Sequence, residues 1–167
     1  MKINMNYKII TILIALMLVV GFSLMTSTPV LAAGPYTYTS IATAAWNVST
    51  TWSSSNGGTT YPVAGDTVNI SAYTVTVTAS AACANLTVSP NATLVISGTS
   101  TVSATTITLN GTWVNDSTGL VTGTMTVGAT GTYQLNINAG TIPTATCNAA
   151  STLNITGITV STAIPLA

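Results

Sequence analysis

Histidine is absent from this 167-residue chain, and its only basic residues are Lys2 and Lys8, both ahead of an apolar run from Ile9 to Met25. Everything after that run works with two carboxylates, Asp66 and Asp116. General acid/base catalysis, nucleophile activation and phosphate binding draw on His, Lys, Arg or clustered carboxylates, so most enzyme chemistry is excluded. Nucleic acid is excluded as a partner because backbone phosphates need Lys or Arg. Glu is missing as well, and the single Phe, Phe22, lies in the apolar run. Charge this low, combined with abundant Val, Ile, Leu and Thr, does not fit disorder, which needs low hydrophobicity and high net charge. No catalytic residue, cofactor site or metal site is expected.

What is present begins with a secretory leader over residues 1–33. Lys2 and Lys8 supply the positive start, Ile9 to Met25 the apolar centre, and Pro29-Val30-Leu31-Ala32-Ala33 the small residues for cleavage after Ala32 or Ala33. An uncleaved membrane anchor is the alternative, since the run lies near the lower length limit for spanning a bilayer. The mature chain is therefore expected to be secreted, extracellular or at the cell surface.

The rest is long enough for one domain with a sizeable core. Its β-branched residues lose rotamer freedom in a helix and fit the pleated surface of a sheet, which predicts an all-β protein. Short bursts alternate with period two: Val68-Asn69-Ile70, Thr74 to Thr78, Asn85 to Val88, Thr93 to Ile96, Thr106 to Leu109, Thr124 to Val127, Gln134 to Ile137 and Leu153 to Ile155. The phrases around Leu86, Ile107 and Met125 resemble one another at offsets of about twenty residues, with weaker echoes near Leu135 and Leu153. Such a period marks stacked coils, each burying its aliphatic face only when its neighbours cover it. A β-solenoid (parallel β-helix) is expected, with an antiparallel β-sandwich as the alternative. Asn110-Gly111 is the one hairpin-type dipeptide of its kind, which favours the solenoid.

Residues 34–70 differ from residues 71–167, the expected coils. Tyr36, Tyr38, Trp46, Trp52 and Tyr61 fall there with Gly57-Gly58 and Pro62. A solenoid needs a terminal unit over its first open coil, and Trp46, Trp52, Tyr61, Pro62, Gly65 and Asp66 are expected to form that cap. The spaced Trp pair, the phrase Pro62-Val63-Ala64-Gly65-Asp66-Thr67-Val68-Asn69-Ile70 and the following Ala82-Cys83-Ala84-Asn85-Leu86-Thr87-Val88 resemble the opening of bacterial extracellular parallel β-helix domains. The Pro-x-x-Gly-Asp-x-Val-x-Ile phrase is similar to the start of G8 domains. This resemblance covers Tyr36 to Gly98 and implies a module of surface or adhesion proteins.

Single residues are weighed against ordinary structural work. Asp66 reads as a turn residue accepting backbone N–H bonds; a Ca²⁺ site would need six to eight oxygens and several acids. Asp116 sits in Asn115-Asp116-Ser117-Thr118-Gly119, a turn by composition, too far from Asp66 along a solenoid for a two-carboxylate glycosidase. Cys83 and Cys147 lie about three coils apart, beyond disulfide reach, and read as free, buried thiols. Trp113 and Tyr133 lie among strands and are the candidates for contact with a ligand such as a glycan. Asn-x-Ser/Thr sequons at Asn47, Asn69, Asn85, Asn91, Asn110, Asn115 and Asn154 permit glycosylation without indicating it.

The expected function is that of a non-enzymatic exported structural protein that self-associates, as a filament, surface-layer or stalk module. Nearly uncharged walls repel little, and the ends of a solenoid expose unpaired backbone. A second copy would stack its first coil on the last one or donate a strand from Tyr36–Ala45. A glycan-binding adhesin is the alternative. Ice binding is weaker, because the Thr-x-Thr arrays Thr74-Thr76-Thr78 and Thr122-Thr124-Thr126 are unevenly spaced.

Overall fold

A computed structural model of the chain describes residues 35–55, 57–58 and 60–159, so the leader expected over residues 1–33 lies outside the described residues. Among the described residues fourteen strands follow one another: β1 (Thr37–Ser40), β2 (Ala44–Ala45), β3 (Trp52–Ser54), β4 (Thr67–Ile70), β5 (Thr74–Val77), β6 (Ala81–Ala82) and β7 (Asn85–Val88). Then come β8 (Thr93–Gly98), β9 (Val102–Leu109), β10 (Thr112–Ser117), β11 (Val121–Val127), β12 (Thr132–Leu135), β13 (Ala145–Cys147) and β14 (Thr152–Ile155). The chain alternates between two sheets. The first runs β3-β1-β4-β7-β9-β11-β13, with β6 also on β9, and the second runs β2-β5-β8-β10-β12-β14.

Among the described residues every pairing is parallel except that of β3 with β1. This is a β-solenoid, and the antiparallel sandwich is set aside. Alternation of side chains along each strand puts one set inward and the other outward, as the buried positions Val68, Ile70, Val75, Val77, Leu86 and Val88 show. Stacking then turns single residues into columns. In the first sheet Val68, Leu86, Ile107 and Met125 lie in one column, and Ile70, Val88, Leu109, Val127 and Cys147 in the next. In the second sheet the columns are Val75, Leu94, Trp113, Tyr133, Leu153 and Val77, Ile96, Asn115, Leu135, Ile155. Each fully buried aliphatic contributes about 1.5–3 kcal/mol relative to an exposed one, but only where a rung lies on either side.

Three expectations change here. The regular ladder already begins at β1, which pairs in parallel with β4, so residues 34–70 contain the first coil as well as its cover. Asn115-Asp116-Ser117 is not a turn but part of β10, because Asn115 and Ser117 turn inward and find hydrogen-bond partners there. The echoes at Leu135 and Leu153 belong to the second sheet, whereas Leu86, Ile107 and Met125 share a column of the first. Asn110-Gly111 makes a corner between β9 and β10 instead of a hairpin. A side chain at Gly111 would strike the carbonyl oxygens of Ser89 and Ala92 in the coil beneath.

Candidate functional site

The first coil is closed by aromatic rings and one carboxylate. Trp46 continues the ladder of β2, its backbone N–H donating to the Thr76 carbonyl at 2.8 Å, while Trp52 opens the antiparallel β3. Their indoles meet edge to face at 5.2 Å between centroids, and Tyr38 meets Trp52 in the same way at 6.4 Å. Both indole N–H groups are used: Trp46 Nε1 donates to Pro62 O at 3.1 Å and Trp52 Nε1 to Trp46 O at 2.7 Å. Buried aromatics thus fill the end of the coil without leaving a polar atom unpaired.

Asp66 is buried, and its two oxygens accept the backbone N–H groups of Tyr36 and Val63, each at 2.9 Å. It ties the chain entering β1 to the turn before β4. Gly65 makes that turn at φ +97°, a conformation that side-chain-bearing residues avoid. Of the expected cap residues, Trp46, Trp52, Pro62 and Asp66 are buried, while Tyr61 and Gly65 are exposed. Tyr61, 41% exposed, borders a hollow of about 210 Å³ together with Trp46, Asn47, Pro62 and Ser80.

Trp113 and Tyr133 are not surface residues. They are 0% and 4% exposed and stand in one inward column of the second sheet, rings stacked at 6.1 Å and 25°. Stacking covers one face of each ring and burial withdraws both from the surface, Tyr133 bordering only an apolar hollow, so the ligand-contact expectation is corrected. Beside them lies a residue that sequence reasoning missed. Asn115, fully buried, donates from Nδ2 to Tyr133 Oη at 3.0 Å and to Thr141 O at 3.2 Å, and its Oδ1 accepts the Ser117 N–H at 3.0 Å. Tyr133 Oη donates to Thr141 O at 2.9 Å, and Ser117 Oγ to Ser100 O at 2.8 Å. Burial pushes the Tyr133 hydroxyl up to about 12, with the Asn115 hydrogen bond acting in the other direction. An Asn at an inward position was the only signal available, and its neighbours Asp116 and Ser117 disguised it as a turn. A glycan on Asn115 would not fit this buried position.

The two cysteines are free. Cys83 donates its backbone N–H to Ser103 of the β9 coil, and Cys147 lies two rungs beyond β9 in β13, so at ~4.8 Å per rung they stand ~14 Å apart along the axis. Cys83 is buried as expected, and its thiol is pushed up to about 12, first by burial and then by the Asp66 charge. Cys147 is exposed, contrary to expectation, because its column has no further rung among the described residues. Asp116 is half-buried on β10 opposite Ser97. The coil of β7 and β8 lies between it and the coil of Asp66, and no group of three or more His, Cys, Asp and Glu stands together among the described residues.

The other end of the solenoid is unlike the first. Val127, Tyr133 and Leu135 are buried one rung in, whereas Cys147, Leu153 and Ile155, which continue their columns in β13 and β14, are exposed, the last two by 42% and 38%. Met125, Val127, Tyr133, Ile142, Ala145 and Leu153 line an apolar hollow of about 90 Å³ at this end. The Tyr36–Ala45 segment, expected as a donated strand, is already in use: β1 is paired on both edges, by β3 and β4, and β2 pairs with β5. Comparison with protein-family models, with curated proteins and with solved structures finds no match.

Proposed function

We propose that the chain is an exported, non-enzymatic structural module of the cell surface or extracellular space, which associates with itself through the end formed by β13 and β14. The observation that carries this reading is the contrast between the ends. Antiparallel β3 and the Trp46–Trp52–Tyr38 cluster cover the first coil, while Cys147, Leu153 and Ile155 occupy inward columns with nothing described above them. Apolar surface and strand edges without a further partner among the described residues are what a stacking partner covers. The secretory leader and the resemblance of Tyr36–Gly98 to bacterial extracellular β-helix domains support the location. The non-enzymatic part rests on the residue inventory, since after the leader the chain holds two carboxylates and no basic side chain.

Light scattering on the exported protein over a concentration series, with the Leu153→Glu/Ile155→Glu variant beside it, tests the reading. Wild type is expected to form larger species or filaments that the variant lacks, because two carboxylates cannot be desolvated at a dry contact. A wild-type protein that stays monomeric at high concentration removes the assembly reading. A glycan-binding module is the second reading, and the feature that favours it is now the hollow beside exposed Tyr61, with Asn47 and Ser80 as hydrogen-bonding groups.

A further inference from the structure

We infer that the outward face of the first sheet is a binding surface for ice, the crystalline, uncharged partner whose repeat its hydroxyl rows match. Uneven sequence spacing counted against this idea, but the corners of the coils absorb the unevenness. Asn85 lies 18 residues after Thr67 and 21 before Thr106, yet the three are partners in successive rungs. One outward column is Thr37, Thr67, Asn85, Thr106, Thr124; the other, two residues along each strand, is Thr39, Asn69, Thr87, Thr108, Thr126, Thr146. Thr106, Thr108, Thr124, Thr126 and Thr146 are exposed. Asn85 continues the Thr column, donating to Thr67 Oγ1 at 3.3 Å and accepting from Thr106 Oγ1 at 2.6 Å.

Rungs stacked ~4.8 Å apart with outward residues ~6.6 Å apart along the strand make a rectangular grid of hydroxyl and methyl groups. Tetrahedral water with hydrogen bonds of ~2.75 Å repeats at ~4.5 Å in one direction and ~7.3 Å at right angles, within about a tenth of that grid. Thr suits this work because branching at Cβ holds χ1, and with it the hydroxyl, in few positions. Charge points the same way. Neither column holds an ionisable side chain; Asp66 is buried and Asp116 stands on the second sheet, so this face carries nothing for a charged ligand to pair with. The second sheet has only half the pattern: Thr74, Thr93, Thr112, Thr132 and Thr152 form one column, but beside it stand Thr76, Val95, Val114, Gln134 and Asn154. The inference concerns the wall of the solenoid and is independent of end-to-end assembly.

The experiment is partition of the exported protein into a slowly growing ice hemisphere, together with inhibition of ice recrystallisation. Wild type is expected to enrich in the ice, the Thr108→Tyr/Thr126→Tyr variant to lose at least tenfold of that enrichment, and Gln134→Tyr on the second sheet to keep it. Circular dichroism and melting establish that each variant is folded. Should the Tyr pair not fold, Thr108→Ser/Thr126→Ser, which deletes only methyl groups, is expected to lose the enrichment with the fold intact. Exclusion of folded wild type from ice overturns the inference, as does enrichment that the folded variants of the first sheet retain.

Discussion

Cys83 and Cys147 carry the same functional group in opposite surroundings, and their reactivity should differ accordingly. Cys147, exposed, is expected to be labelled readily by an alkylating reagent. Cys83, buried beside Asp66, is expected to react at least about a hundredfold more slowly, because the thiolate is the reactive form. Mass spectrometry of partly labelled protein reads this directly, and equal labelling would mean that the first coils open readily. Burial also ties these groups to stability. Cys83 is raised from an ordinary 9.0 to about 12 and Tyr133 from 10.0 to about 12. The folded protein therefore holds both protons more tightly than the unfolded chain, and the stability this represents is complete below pH 9 and lost as pH rises toward 12. Denaturant midpoints should fall across that window, and Cys83→Ala should make the fall shallower. Asn115→Leu leaves the Ser117 N–H and one bond of Tyr133 unmet in a buried site, which should cost about 1–3 kcal/mol by equilibrium unfolding; an unchanged midpoint would mean that packing alone holds this column.

Among the elements, the cap and the corners are where a local change should spread. Trp46→Ala and Trp52→Ala each remove a buried indole and one partner of the edge-to-face contact, and each is expected to destabilise by about 3–5 kcal/mol in thermal or chemical unfolding. Loss of sugar binding with no loss of stability would instead make these rings a ligand platform. Gly111→Ala forces a methyl against the Ser89 and Ala92 carbonyls, with an expected cost of about 1–3 kcal/mol, since backbone beneath a corner cannot move aside. The strands that alternate most strictly, β4, β5, β7, β8 and the second half of β9, are the ones their residues announce. Strands β3, β6, β10 and β13 are not announced, and β1 and β2 fall within Tyr36–Ala45, expected as one strand for a second copy. β2 and β6 have two residues each, too few for a period, and β10 carries polar residues on its inward side.

At the scale of the whole molecule, stability should be graded along the axis. Each rung is supported by the rungs above and below, so among the described residues the centre has two neighbours and the β13/β14 end has one. Hydrogen exchange is expected to show the greatest protection at Leu94, Ile107 and Leu109 and the least at Thr146, Leu153 and Ile155. Uniform protection across both ends would mean that the last rung is covered, as it would be in a stacked assembly. Dilution of the sample then separates the two cases, because only an assembly loses that protection on dilution.

The β-rich class, the coil length near twenty residues and the poverty of acid/base groups are legible one residue at a time. Alternation with period two is a property of the extended backbone itself, and an inventory needs no coordinates. Register is another matter. Whether Thr106 falls beside Asn85 depends on how much chain each corner takes up, and residues 18 and 21 positions apart can be neighbours in the same column. Pairing between rungs therefore settled the continuity of the threonine rows, the burial of Trp113 and Tyr133 over Asn115, the early start of the ladder at β1 and the exposure of Cys147. Each of these depends on which residue lies in the next coil, a contact made across about twenty residues of chain and invisible to any local pattern.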